Sequence, residues 1–469
     1  MLIYNGNFGG LSDSKWSGVA GSFAECVGID AHSTPGLLKV HQKLTKESST
    51  TVTAFCKEMV AASNGYSFWF SSTDGKIWTR SSGGTYTLAY TTAPAAGAAG
   101  CLGAMEFNGY IYWATQSRLH RVTIAGADDS WAAGAVSLDW ATFGVTDSEF
   151  HPMAIQDLTL FIGDGNQVAE VSDAGVFNAN VLDINTPLRI KCIIPYDIDL
   201  LIGTYTANTV NRTEIIRWDT VSPSWNTSDP IEEVGINCFI RDDNYVYVNA
   251  GRAGNLYYYN GQYLLPFKKI PGSYSSTAYG LIHPGSVANF QGVPIFGFSN
   301  GSGNPAKQGV YSLGSYSRDY RKVLSLDWII SEAVTSGIEI GAIAVLDFDI
   351  LVAWKNGSSY GIDKIDYTAK YGSAYIETMM LNQSQRDVIK TLANVSAFYN
   401  SLPASTGITF SYSVNGAVYV AMTSVTNSFI NEVRAQLSVG SIGSLQIKMA
   451  FTVSSNSAPT VEAIGVDIS

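Results

Sequence analysis

Apolar and polar residues alternate along two neighbouring segments near residue 110, and this pattern predicts a β-hairpin. Gly109 to Thr115 and Arg118 to Ile124 follow a period of two, as half-buried strands do. The alternation breaks near His120, where we expect a β-bulge. An earlier strand, Cys101 to Glu106, joins through Asn108-Gly109, a dipeptide that favours tight hairpin turns because both residues tolerate positive φ. The sequence therefore predicts a three-stranded meander.

The same order of apolar strand, tight polar turn and apolar strand returns along the chain. The predicted hairpins are Thr53 to Phe70, Cys101 to Thr115, Met153 to Ile162, Cys192 to Gly203, Cys238 to Val248, Ser286 to Phe298 and Ala342 to Trp354. Their second strands start 42 to 57 residues apart. Repeats of about 40 to 50 residues are typical of β-propeller blades, which contain four strands each. We therefore predict an all-β protein with a seven-bladed β-propeller over residues 51–366.

The pattern changes on both sides of the repeats. Residues 367–469 contain about seven alternating segments, which predicts a C-terminal β-sandwich of jelly-roll or immunoglobulin-like type. Within it, Ser384 to Leu392 could instead form a short helix. Residues 1–50 read as an extended N-terminal arm. Because a strand from one chain end can close a propeller, we expect Leu37 to Leu44 to complete the last blade.

Composition supports the all-β prediction and limits the classes of partner that the protein is expected to bind. Charged residues make up 14% of the chain, below the roughly 25% of an average domain. The net charge of −11, without clusters of lysine and arginine, argues against specific nucleic-acid binding. The sequence shows neither a signal peptide nor a long apolar span, so we expect synthesis in a cytoplasm and no transmembrane segment. The five cysteines lie far apart and are expected to be buried and unpaired.

The sharpest motif is the segment Ser72-Thr73-Asp74-Gly75-Lys76-Ile77-Trp78. Ser72, Asp74, Gly75 and Trp78 resemble the Asp-box of sialidases and related propellers, although one residue is missing between the aspartate and the aromatic position. In that motif serine and aspartate bind turn amides and the aromatic side chain packs beneath the turn. We expect a structural turn here, with no catalytic role.

Other candidate chemistry is weak. The arginines occupy no recurrent place in the repeats, as a sialidase-like site would require, and the close acidic pairs are better explained as turn caps. The five histidines share no metal-ligand spacing, and no nucleotide or nucleophile motif is present. We predict no catalytic residue, no metal and no cofactor. Aromatic residues, among them Tyr257-Tyr258-Tyr259, Trp218, Trp225 and Trp354, could bind sugars but are better explained as core.

The whole layout resembles structural proteins of tailed bacteriophages. The resemblance rests on a glycine-rich arm containing Ile29-Asp30 and Pro35-Gly36, a propeller of low charge, and a terminal sandwich with Leu445-Gln446-Ile447-Lys448 and Ala458-Pro459-Thr460-Val461. It is similar to the propeller-bearing nozzle or tail tube proteins of short-tailed phages. The resemblance implies a non-enzymatic virion tail component, assembled in the bacterial cytoplasm as a homo-oligomeric ring, expected to be a hexamer, with other tail proteins as partners. The alternatives are a carbohydrate-binding propeller that recognises a host glycan, and a sialidase-like glycosidase.

Overall fold

The chain forms β-strands almost throughout its described part. The computed structural model describes residues 2–5, 8–15, 21–48, 51–92, 100–132, 134–146, 148–206, 211–242, 245–272, 274–275, 278–300, 308–315, 322–332, 337–382, 392–422, 424–426, 432–436 and 443–468. Within these residues the one helical element is a short 3-10 turn at Ile124–Gly126. None of them forms a helix long and apolar enough to cross a membrane.

Most strands belong to four-stranded antiparallel meanders, which we number in chain order. Meander 1 contains Cys56–Ala61, Ser67–Ser71, Lys76–Arg80 and Tyr86–Thr91. Meander 2 contains Gly103–Phe107, Tyr110–Ala114, Arg118–Thr123 and Val136–Thr142. Meander 3 contains Met153–Gln156, Thr159–Asp164, Gln167–Val171 and Phe177–Asp183. Meander 4 contains Leu188–Tyr196, Asp199–Thr206, Thr213–Trp218 and Thr227–Ile231. Meander 5 contains Ile236–Asp242, Tyr245–Ala250, Asn255–Tyr259 and Leu264–Lys269. Meander 6 contains Gly280–Phe290, Val293–Asn300, Gly309–Gly314 and Val323–Trp328. Meander 7 contains Ile338–Leu346, Asp349–Asn356 and Ser359–Lys370, and its fourth strand is Gln42–Lys46 from the N-terminal arm.

The first strands of the meanders surround a common axis. Each contacts the first strand of the next meander, and the first strand of meander 7 contacts that of meander 1. The closing contact is tight, because a Cβ at Gly341 would lie 1.9 Å from the carbonyl oxygen of Cys56. A closed ring of radially arranged meanders is a β-propeller, and the predicted propeller is confirmed at this level.

Local turn chemistry follows the sequence in meander 2. Asn108 and Gly109 both have positive φ, 47° and 78°, as the tight turn requires. The bulge expected at His120 is not in the hairpin strand, because that strand pairs regularly with the second strand and His120 lies opposite Trp113. The register shift lies in the pairing with the fourth strand, where Leu119 to Arg121 faces the longer stretch Ser137 to Ala141, so the extra residues belong to the fourth strand. Trp113 is buried between meanders, with its ring 5.3 Å from that of His120 and 5.5 Å from that of Trp131. All five cysteines are buried and free.

The N-terminal arm pairs with three parts of the molecule. Gln42–Lys46 is the outer strand of meander 7, antiparallel to Ser359–Lys370. Leu38–Val40, which the sequence placed in the same closing strand, pairs instead with Thr460–Ile468 near the C-terminus. Ser22–Val27 pairs with Tyr375–Thr378 and also meets the outer strand of meander 6, where Val27 lies opposite Leu326.

The C-terminal strands lie in two sheets, one separate and one that extends the sheet of meander 6. One has the order Glu432–Gln436, Leu392–Tyr399, Thr460–Ile468, Leu38–Val40 and Ile29–Asp30, and Leu2–Asn5 also pairs with Thr460–Ile468. The other sheet continues from the outer strand of meander 6 in the order Ser22–Val27, Tyr375–Thr378, Ser444–Thr452, Gly407–Val414 and Val420–Ala421. Two short strands pair at its side: Gly10–Leu11 with Ser22–Val27, and Leu381–Asn382 with Ser444–Thr452. One hydrophobic cluster joins Phe23, Leu326, Ile376, Phe410 and Val461. The helix considered at Ser384 to Leu392 falls almost wholly outside the described residues, and Leu392 begins a strand.

Candidate functional site

The alternation of strand directions gives the propeller two distinct sides. In meanders 1 to 6 the connections between strands 1 and 2 and between strands 3 and 4 lie on the same side, because neighbouring strands run antiparallel; in meander 7 only the connection between strands 1 and 2 lies there, since its fourth strand comes from the N-terminal arm. We call this side the turn face, and the opposite side, where each first strand begins, the start face. Asp157, Asp197 and Asp347 all have positive φ in strand 1 to strand 2 turns of the turn face. Aspartate tolerates this conformation, so these turns can be tight.

Large apolar side chains stand exposed at the tips of the turn face. Leu158, Ile198 and Phe348 each follow one of those aspartates and are 72%, 69% and 71% exposed. Three strand 3 to strand 4 turns add further exposed apolar residues, namely Val176, Val221 and Tyr263. Single exposed apolar residues are ordinary, but a recurrence at equivalent turns of one face is typical of an interaction surface.

At least one of these tips is held by a hydrogen-bonded turn. The carboxylate of Asp219 accepts hydrogen bonds from the amides of Val221, at 3.0 Å, and Ser222, at 2.7 Å. It also accepts bonds from the Ser222 hydroxyl and the Asn226 side-chain amide. These bonds, led by the Ser222 hydroxyl, hold the pKa of Asp219 well below its usual range. The turn therefore presents Val221 in a fixed position.

A polar pocket of about 410 Å³ opens between meanders 4 and 5 on the same turn face. Its lining combines aromatic rings with planar polar groups: Tyr196, Arg217, Arg241, Tyr245, Asn260 and Gln262. The Arg217 guanidinium lies 5.7 Å from the centre of the Tyr196 ring and pairs with Asp199. Arg241 donates to the carbonyl oxygen of Pro195. Rings beside amide and guanidinium groups suit a ligand with both apolar and hydroxyl surfaces.

The Asp-box-like segment forms a hydrogen-bonded turn. Asp74 Oδ1 accepts from the Lys76 amide at 3.3 Å, and Asp74 Oδ2 pairs with the Lys76 ammonium at 2.8 Å. The Ser71 hydroxyl accepts from the amides of Thr73 and Asp74, each at 3.1 Å. Gly75 supplies the positive φ of 69°. The turn is thus organised by Ser71 and Asp74.

The other two residues of the motif connect this turn to the core. Ser72 donates its hydroxyl hydrogen to the carbonyl oxygen of Phe55 at 3.1 Å, which ties the turn to the start of meander 1. Trp78 is 1% exposed and packs in a cluster with Cys56 and Trp69. These contacts hold the turn in shape and fix it to the core, as a structural role requires.

The remaining candidate groups are largely satisfied by neighbours. Glu233 accepts from Asn255 and Tyr257, and Asp349 pairs with Lys364 at 2.7 Å. Trp218 and Trp354 are buried. In the part of the chain that the structure describes, no group of three histidine, cysteine or acidic residues could hold a metal ion.

The sequence held an overlooked signal for the turn-face pocket between meanders 4 and 5. Tyr196 precedes the turn at Asp197 in one repeat, and Arg241 stands at the equivalent turn of the next repeat. Adjacent blades bring equivalent turns together, so aromatic and cationic residues at successive turns predict a shared pocket. The shared pocket is not evident from either hairpin alone, because its residues come from two repeats.

Comparisons with known proteins identify no family. No protein-family model matches the chain, and no curated protein matches it. The extracellular domain of a B. thetaiotaomicron protein described as a hybrid two component system is 15% identical, with a TM-score of 0.48 over 79% of this chain and 46% of that chain. A streptogramin B lyase structure is 10% identical, with a TM-score of 0.46 over 70% and 98%. The propeller of Dos1 is 10% identical, with a TM-score of 0.43 over 69% and 95%. The chain spans about half the length of the two component system domain.

Proposed function

We propose that this protein is a non-enzymatic structural subunit of a bacteriophage tail, of the nozzle or tail tube kind, which assembles into a homo-oligomeric ring. The observation that carries the proposal is the set of exposed apolar tips on the turn face. Leu158, Ile198 and Phe348 belong to three different meanders, so a partner that covers them must contact much of that face. Burial of such side chains is worth roughly 1.5–3 kcal/mol each, enough for a few to hold a subunit in place.

The architecture that we propose for this role has seven blades and a sandwich. Each meander is one blade of a seven-bladed propeller, and the C-terminal strands, which lie in one separate sheet and in the extension of the meander 6 sheet, form a β-sandwich. The closed ring of first-strand contacts supports the propeller, and the pairing of Ser444–Thr452 with Tyr375–Thr378 and Gly407–Val414 supports a set of C-terminal strands. Closed sheets leave few free edges and make rigid modules, as a tail component requires. The proposed location is the virion tail, with a hexameric ring and other tail proteins as the partners.

A triple substitution tests the proposed surface. Leu158→Ser, Ile198→Ser and Phe348→Ser together should convert the ring to smaller species in native mass measurement, with an unchanged melting temperature. The matched control replaces Val418 and Val420, which are 88% and 50% exposed on the C-terminal hairpin, with serine. The control should leave the ring intact. A monomeric wild-type protein, recovered gently from assembled particles, would overturn the proposal.

The turn-face pocket favours a second function, binding of a host glycan. Tyr196 and Tyr245 offer rings, and Arg241 and Asn260 offer hydrogen-bond donors to sugar hydroxyls. On a glycan array, wild-type protein should bind a defined set of sugars and Tyr245→Ala should lose the signal, while Tyr263→Ala should keep it. A wild-type array without signal rejects this function. The third alternative, a sialidase-like glycosidase, would be supported only if the protein hydrolyses a glycoside and if this activity disappears when one carboxylate of the pocket is replaced.

A further inference from the structure

A pocket of about 520 Å³ lies where the N-terminal arm meets meanders 6 and 7. The arm contributes Asp30, Lys39, His41 and Gln42 to its wall, and Lys370 comes from the third strand of meander 7. Strand pairing sets these residues side by side, since Gln42 lies opposite Lys370 and Lys39 lies opposite Asp30. We call this cavity the arm pocket. Its volume falls within the roughly 300–1,000 Å³ that is typical of small-ligand sites.

A β-bulge brings two neighbouring side chains of meander 6 into the wall of this pocket. The pairing of its third and fourth strands shifts register between Val310 and Tyr311, so Asp327 has no partner residue on the third strand. Because a bulge re-aims side chains that would otherwise alternate, both Asp327 and Trp328 can line the pocket, as they do. Both also contact His41: Asp327 Oδ2 lies 3.2 Å from His41 Nε2, and the Trp328 ring lies 4.6 Å from the His41 ring.

Two atoms of these side chains have no hydrogen-bond partner among the described residues. Asp327 is 1% exposed and Trp328 is 3% exposed. Asp327 Oδ1 accepts from the Ser325 hydroxyl at 2.5 Å, but Oδ2 accepts no hydrogen bond, and Trp328 Nε1 donates none. Buried polar groups in folded proteins nearly always have a partner. One unsatisfied acceptor and one unsatisfied donor favour a ligand with hydroxyl groups, because a hydroxyl both donates and accepts.

The two carboxylates that line the pocket already have partners for their charge. Asp30 accepts hydrogen bonds from the amides of His32, at 3.0 Å, and Ser33, at 2.8 Å, and from the Ser33 hydroxyl. Asp327 faces His41. Burial acts to lower the pKa of His41, but the charge and hydrogen bond of Asp327 outweigh burial and raise it, so this pair is charged at pH 6.

The two lysines of the pocket are less well balanced. Lys39 donates to the Thr34 hydroxyl at 2.8 Å, and in the described part of the chain no carboxylate oxygen lies within 4 Å of the ammonium groups of Lys39 or Lys370. Burial lowers the pKa of Lys370 more than the charge of Asp30 raises it. Lys39, Lys370 and His41 thus face two carboxylates, which leaves an excess of positive charge, and any protonation of the lining His32 adds to it. The pocket therefore favours a ligand with one carboxylate.

We propose that the arm pocket binds a small sugar acid, that is, a polyhydroxylated ligand with one carboxylate. The carboxylate contacts Lys39 and Lys370, while hydroxyl groups donate to Asp327 and accept from the indole of Trp328. An amine in place of a hydroxyl is disfavoured, because its charge would lie beside His41 and both lysines. This site is separate from the turn-face pocket, and its ligand is independent of the proposed tail function.

Calorimetric titration of the full chain at pH 6, with the ionic strength held constant by NaCl, tests the site with D-glucuronate, its methyl glycoside, D-glucose and acetate. D-glucuronate should bind. D-glucose lacks the carboxylate and acetate lacks the hydroxyl groups, so each should bind more weakly by about tenfold or more, the loss expected for one charged hydrogen bond. Because the ligand contacts both the arm and the propeller, D-glucuronate should also slow proteolytic cleavage of the arm.

Variants locate the binding. Lys370→Met should weaken D-glucuronate binding by about tenfold or more, for the same reason. Lys43→Met, at a lysine that is 41% exposed on the outer strand of meander 7 and outside the pocket wall, is the matched control and should bind as wild type does. Tyr245→Ala, which alters the turn-face pocket, should also leave this binding unchanged.

The pattern of results separates the outcomes. Binding of D-glucuronate and its methyl glycoside supports a sugar acid within a glycan, and binding of D-glucuronate alone supports a free sugar acid. Absence of D-glucuronate binding, equal binding of D-glucose or acetate, or equal weakening by Lys43→Met and Lys370→Met would overturn the proposal. The comparison of probes in wild-type protein needs no variant, so the test stands even if Lys370→Met folds poorly. None of these readouts depends on the oligomeric state, so failure here leaves the proposed ring untouched.

Discussion

Individual residues of the Asp-box-like turn should differ sharply in their importance for stability. Trp78 is buried among Cys56, Trp69 and Tyr86, whereas the Asp74 carboxylate bonds a surface turn. Trp78→Ala should therefore cost roughly 3–5 kcal/mol of stability. Asp74→Ala should cost about 0.5–1.5 kcal/mol, the value of an ordinary hydrogen bond. Urea unfolding of the two variants checks the ranking, and equal losses would show that the turn contributes more than its bonds indicate.

The ion pair between His41 and Asp327 should make part of the stability pH-dependent. His41 Nε2 lies 3.2 Å from Asp327 Oδ2, with His32, Asp30 and Lys370 nearby. Burial acts to lower the pKa of His41, but the charge and hydrogen bond of Asp327, helped by Asp30, outweigh burial and raise it. Because the folded state holds the proton more tightly, the stabilisation is complete below the ordinary histidine pKa of about 6.5 and is lost as the pH rises through the raised value.

This dependence can be measured as a difference between two proteins. The melting temperature of wild type should exceed that of His41→Gln most clearly near pH 6, and the gap should narrow toward pH 9. A gap that stays constant with pH would show that His41 acts through its packing against the Trp328 ring, which lies 4.6 Å away. His151→Gln serves as a comparison, because burial lowers the pKa of His151 and the same narrowing is not expected.

At the scale of elements, local signals could be read from the sequence and distant pairing could not. The Asn108-Gly109 turn follows from backbone preferences within a few residues, whereas the break in alternation at His120 pointed to a bulge that lies on the neighbouring fourth strand. Ser22–Val27 and Leu38–Val40 pair with strands hundreds of residues away in the sequence. A short apolar segment does not by itself specify which distant strand it will pair with. The turn-face pocket was missed for the same reason, since its residues come from two repeats.

The closing strand Gln42–Lys46 gives a direct test at this scale. Leu44 is 3% exposed and packs with Trp354 and Ile365 of meander 7. Leu44→Ala should cost about 2–5 kcal/mol and loosen the outer strand of that meander. Chemical unfolding measures the loss, and limited proteolysis should cut the arm earlier than in wild type. Lys43→Ala, on the exposed side of the same strand, should change neither result.

At the scale of the whole molecule, the arm prevents a clean division into consecutive units. The sequence suggests boundaries at residues 50 and 366, but strands of the arm lie in meander 7, beside meander 6 and in both C-terminal sheets. One hydrophobic cluster runs from meanders 5 and 6 into the C-terminal strands. The propeller and the C-terminal sheets should therefore behave as one body, so the proposed ring would place the turn face and the C-terminal sheets at fixed relative positions.

The proposed ring should respond to salt in a way that depends on how its subunits meet. The chain carries a net charge of −11, so identical copies repel one another, and salt screens this repulsion as the Debye length falls from about 10 Å at 0.1 M to about 3 Å at 1 M. Contacts through Leu158, Ile198 and Phe348 are apolar and are not weakened by screening. The ring fraction in sedimentation velocity should therefore rise with NaCl, and the triple serine variant should stay dissociated at every salt concentration. A ring that dissociates as salt increases would mean that ion pairs hold the subunits together, and the apolar tips would then have to meet a different tail protein.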